Sequence, residues 1–134
     1  MCLVTRQIKP RITKKDLVVR KIVRVNHDES ITSFCRSSFI WIKGKLETTE
    51  LGISKRIPRN CCVHDDPQSE YYKEGNKQRN RKLTVVSQGF HAVVDPNYNC
   101  NLSGYNIRKF LIPAGSTIYK DATGLIVSNK MMML

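Results

Sequence analysis

Short β-branched and aromatic runs follow one another through the last third of the chain, each cut off by residues that reverse a backbone. They are Leu83–Val86, Phe90–Val94, Ile107–Ile112, Ser116–Tyr119 and Leu125–Ser128. Asp95-Pro96-Asn97, Asn101 to Gly104, Pro113-Ala114-Gly115 and Ala122-Thr123-Gly124 stand between most of them. Such runs have the composition of strands, and the Gly, Pro, Asn and Asp between them favour turns. The expected fold class is mainly β, or β-rich α+β, built as a small antiparallel sheet or an open barrel. Within it, Pro113 and Gly115 suit a tight reversal that would pair Arg108–Leu111 with Thr117–Tyr119.

The same logic extends toward the N-terminus. In Leu17–Val25, alternation puts Val19, Lys21, Val23 and Val25 on one face and Val18, Arg20, Ile22 and Arg24 on the other. That predicts a strand with its arginines on the more exposed face, followed by a polar turn over Asn26–Ser30. Ser38–Leu46 is a second candidate strand and holds the only tryptophan, Trp41, a core or edge anchor. Residues 54–82 are polar, and "CCVHDDPQSEYYKEGNKQRNRK" places Gly75 inside any long helix. They read as a long polar loop with a short helix around Pro67–Lys73.

A chain of 134 residues that is 40% hydrophobic is of a size to bury one core unaided. The expected organisation is an extended basic arm over 1–16 and a single β-rich domain over 17–134. The longest apolar runs are four residues, far below the ~20 needed to cross a bilayer. Arg6 and Lys9 also interrupt any signal-peptide core. A soluble, cytoplasmic protein without a membrane partner is expected. Five cysteines at irregular spacing suit reduced thiols rather than a disulfide framework.

The net charge of +12 is unevenly spread, with eight cations against the single Asp16 in residues 1–24. A field of this sign concentrates polyanions, so nucleic acid, a nucleotide or an acidic protein is the natural partner.

Several blocks carry a resemblance. The "MCL.T" start, Gly44-Lys45-Leu46, Gly89-Phe90-His91, Ile112-Pro113-Ala114-Gly115-Ser116 and Val127-Ser128-Asn129 resemble a family of unknown function. Its members are small bacteriophage and gut-bacterial proteins that share GK(L/Y), GFH and IPxGS blocks. The resemblance covers 17–46 and 83–130. It implies a phage-like origin, a small β-rich fold and an accessory role, but no mechanism. Small phage proteins of this kind often act by binding: they inhibit a host enzyme, counter a host defence, sequester a nucleotide, or decorate nucleic acid or a virion.

Four groups of residues can carry function. His91 sits beside the permissive Gly89 and has two readings, a strand histidine bonded to a carbonyl or a ligand-contacting residue. As an acid or base it would need a partner, and Asp95 is four residues on. Arg79, Arg81 and Lys82, with Tyr72 upstream, combine cations with a stackable ring, as single-stranded nucleic acid requires. Arg11, Lys14 and Lys15 form the arm's cationic cluster. Cys61, Cys62 and His64 are zinc-type ligands, but no second cluster completes a tetrahedral set. No catalytic signature or cofactor motif is present. The favoured reading is non-catalytic binding of a polyanion. The alternatives are a nucleotide-acting enzyme using His91 and a virion-associated structural protein, with homo-oligomer or virion-subunit assembly open.

Overall fold

A computed structural model describes residues 3–33, 38–55, 83–99, 101 and 103–134. Of the long loop expected over 54–82, Ser54 instead ends a strand paired to Val85, while 56–82, the helix expected there and all five cysteines lie outside the described residues. The described residues contain no helix, and thirteen strands form two antiparallel sheets. In chain order these are β1 (Leu3–Thr5), β2 (Arg11–Ile12), β3 (Leu17–Val25), β4 (Ile31–Ser33), β5 (Ile40–Trp41), β6 (Leu46–Thr48) and β7 (Gly52–Ser54). There follow β8 (Thr84–Gln88), β9 (Phe90–Val93), β10 (Tyr105–Ile112), β11 (Thr117–Lys120), β12 (Leu125–Ser128) and β13 (Lys130–Met133). The mainly β class is as expected, and neither sheet closes into a barrel.

The larger sheet runs β2-β11-β12-β9-β3-β10-β13-β6, with β4 and β5 attached beside β3. Alternation decides its inner face. Val19, Val23, Trp41, Phe90, Ala92, Phe110, Ile112, Ile118, Ile126, Met131 and Met133 form one buried cluster. Trp41 is the anchor of this core. It meets Phe39, Phe90 and Phe110 edge-on at ring-centroid distances of 4.9, 5.2 and 4.8 Å, and its Nε1–H donates to Ser33 Oγ at 2.8 Å. Such aromatic pairs add ~0.5–1.5 kcal/mol each beyond the area they bury. The candidate strand Ser38–Leu46 is broken in two, because Gly44 turns with φ 79° between β5 and β6.

The smaller sheet, β1-β8-β7, packs on part of the outer face of the larger one through Leu3, Val86, Tyr119 and Val127. Gly89 joins the two sheets. Its φ is 151°, and a Cβ there would lie 2.4 Å from Val127 Cγ1 and 2.7 Å from Leu51 Cδ2, so the crossing from β8 to β9 has no room for a side chain.

The hairpin expected across Pro113–Gly115 does not form. β10 pairs with β3 and β13, whereas β11 pairs with β12 and β2. The physical reason is Thr13, which takes up the turn's polar groups. Its backbone bonds both Gly115 and Ser116, and its hydroxyl donates to Pro113 O at 2.9 Å and accepts from Ser116 N at 3.0 Å. The expected basic arm is thereby docked on the body. Leu3, Val4 and Thr5 are buried, and the Gln7 amide bonds Ile118 O and Lys120 N. No helix among the described residues is long and apolar enough to cross a membrane.

Candidate polyanion-binding face and slit

β3 and β10 pair without interruption from Arg24↔Tyr105 to Leu17↔Ile112. Residues directly opposite in an antiparallel pair share a face. The outer face therefore carries Arg20 opposite Lys109 and Arg24 opposite Tyr105, with Ile22 and Ile107 between them. On the inner side, Lys21 stands opposite Arg108. Arg24, Arg108 and Lys109 are exposed, and Arg20 and Lys21 are half-buried. Neither strand contains a carboxylate. Two consecutive positions of one ladder thus set like charges against each other.

The other edge of β3 changes partner partway along. β9 meets it at Arg20↔Val93, whereas β4 pairs with Val23, Arg24 and Val25. Between those contacts the ladder opens into a slit of about 290 Å³. Its lining includes Lys21, Phe90 and Ala92 from the inner face and Arg20, Ile22, His91 and Val93 from the outer, so it passes between the strands. Ser33, Phe39, Gln88 and Tyr98 contribute to its walls. Lys21 bridges the opening. Its ammonium donates to the His91 carbonyl at 2.7 Å and lies 5.9 Å from the centroid of the Trp41 ring.

The side chain of His91 is half-buried, with Nδ1 3.1 Å from the Gly89 carbonyl. A carbonyl only accepts, so Nδ1 carries the proton and Nε2 is left as a lone-pair acceptor. Among the described residues nothing hydrogen-bonds Nε2, an atom closed off from solvent. Burial, helped by the Lys21 ammonium, pushes the imidazole down from 6.5 to about 4. It is therefore neutral near pH 7. Asp95 does not reach it as a catalytic partner: the carboxylate caps its own turn by accepting from Asn97 N at 2.8 Å, and Asp95 is absent from the slit lining.

Of the cations expected to bind a polyanion, Arg11, Lys14 and Lys15 are exposed on and beside β2, the strand at the far edge past β11. They are not brought to the slit. Tyr72, Arg79, Arg81 and Lys82, and the metal candidates Cys61, Cys62 and His64, lie outside the described residues. Among the described residues no group of His, Cys, Asp and Glu is placed to hold a metal ion. Sequence reasoning missed Lys21, Arg108, Lys109, Phe39 and Tyr98 as one neighbourhood. Only the alternation in β3, which puts Arg20 and Arg24 on the outer face, pointed toward it.

Comparison of the chain with family models, curated proteins and solved structures found no match, so the chemistry of the site carries the functional reading.

Proposed function

We propose that the protein is a non-catalytic binding module whose partner is a polyanion, nucleic acid or nucleotide, held on the β3–β10 ribbon. The observation that supports this is the like-charge contact on the outer face, Arg20 opposite Lys109, with Arg24 on the same face of β3. Directly opposed like charges cost stability, by ~0.2–1 kcal/mol per pair. With no carboxylate on either strand, that repulsion is left for a bound anion to relieve. In the setting implied by the phage-protein resemblance, this is an accessory protein that acts by capture rather than turnover.

The test is binding of a labelled single-stranded oligonucleotide, followed by anisotropy across a salt series. Affinity falls linearly on a log–log plot, and Arg24→Gln/Lys109→Gln, two exposed cations of the outer face, reduces the slope by about 1.4, from ~0.7 per phosphate contact on a single strand. Affinity indifferent to both salt and the double substitution overturns the reading. Binding of an acidic protein in place of the oligonucleotide would assign the same face to a different polyanion.

A further inference from the structure

The slit has a character that the ribbon's charge does not explain. Phe39, Phe90, Val93 and Leu125 give it apolar walls, and among the described residues that line it Arg20 and Lys21 are the only charged side chains and none is a carboxylate. Its polar groups can both donate and accept. Ser33 Oγ accepts from Trp41 and keeps its own proton to give. The Gln88 amide donates weakly to Thr49 Oγ1 at 3.3 Å and retains a carbonyl oxygen. A volume of about 290 Å³ is at the small end of the ~300–1,000 Å³ typical of ligand pockets. A free phosphate would leave the apolar walls unused, and a dinucleotide or lipid chain is too large.

We propose that this slit holds a single nucleotide unit, its base between the apolar walls near Phe39 and its phosphate at Arg20. Apolar and aromatic walls take a flat ring of any base, and the guanidinium takes the phosphate. The proposal rests on the polyanion reading for the sign of its ligand. It adds the class, which is a free mononucleotide or one unstacked residue of a single strand.

Trp41, the only tryptophan in the chain, stands behind the slit, with its ring 4.9 Å from Phe39 and 5.2 Å from Phe90. It serves as a built-in reporter. The full chain is titrated with adenosine and uridine monophosphates, oligouridylate, inorganic phosphate and benzoate, while Trp41 fluorescence is recorded. Saturable quenching by the mononucleotides, or by oligouridylate alone, is expected, with none from phosphate or benzoate. The first pattern identifies a free nucleotide as the ligand and the second a residue of a strand. Arg20→Gln and Phe39→Leu, each checked for cooperative unfolding, weaken the quenching interaction at least tenfold and fivefold, and the exposed Lys43→Gln leaves it within twofold. Oligonucleotide binding seen by anisotropy without any change at Trp41 overturns the slit proposal and leaves the ribbon reading standing. Benzoate binding as tightly as a nucleotide also overturns it. Absence of binding in both assays defeats both.

Discussion

Arg20 and Lys109 stand directly opposite each other on β3 and β10, and Arg20 also faces Val93 of β9 across its other edge. One side chain therefore belongs both to the like-charge ladder and to the slit. Arg20 is half-buried, while Lys109 is exposed, so Lys109 is the partner that can be changed without opening the core.

Lys109→Glu is expected to raise stability by ~0.2–1 kcal/mol, because it turns a repulsive cross-strand pair into an attractive one. The same change should weaken oligonucleotide binding severalfold. Urea unfolding beside anisotropy checks the two readouts, and a loss in both would mean that the repulsion is absent from the folded state.

His91 predicts the pH response. Its folded value of about 4 lies below the ordinary 6.5, so the unfolded chain binds the extra proton between those values. Stability is full above about 6.5 and falls as pH drops toward about 4, by an amount on the order of 3 kcal/mol. His91→Phe should flatten that slope, as chemical denaturation at a series of pH values would reveal.

Thr13 is predicted to matter more than its position suggests. Thr13→Val removes two hydrogen bonds of its hydroxyl, to Pro113 O and from Ser116 N. Pro113 O still accepts from Ser116 Oγ at 2.6 Å and from Ser116 N at 3.3 Å, so the cost is that of the lost bonds themselves, ~0.5–1.5 kcal/mol each. Differential scanning calorimetry should show the lowered melting temperature.

Removal of residues 1–15 should cost the fold rather than only the charge, since it deletes the buried Leu3, Val4 and Thr5 together with Thr13. The exposed Lys14 and Lys15 can be neutralised individually within about 0.5 kcal/mol. Thermal melts of the truncation and the point variants separate the two effects.

Gly89→Ala is expected to destabilise by more than 1 kcal/mol, of order ~2–3 kcal/mol. The added Cβ would lie 2.4 Å from Val127 Cγ1, and the junction between the sheets would have to shift. A near-neutral Gly89→Ala in urea unfolding would show that the junction can yield.

Strand character was legible in the sequence because it is a local property. Alternation in Leu17–Val25 placed Val19 and Val23 inside and Arg20 and Arg24 outside, and the structure has them so. The importance of Gly89 was legible too, since a glycine beside an aromatic strand residue signals a backbone that needs unusual freedom. Which strands become neighbours was not legible. The hairpin expected after Ile112 lost to Thr13, about 100 residues away in sequence, because a distant hydroxyl satisfied the turn better than the adjacent strand did. For the same reason the meeting of Arg20 with Lys109, and the slit where β3 exchanges β9 for β4, were decided only by tertiary structure. A period of two fixes the face on which a side chain lies, whereas register across a sheet is fixed by closing the whole core at once.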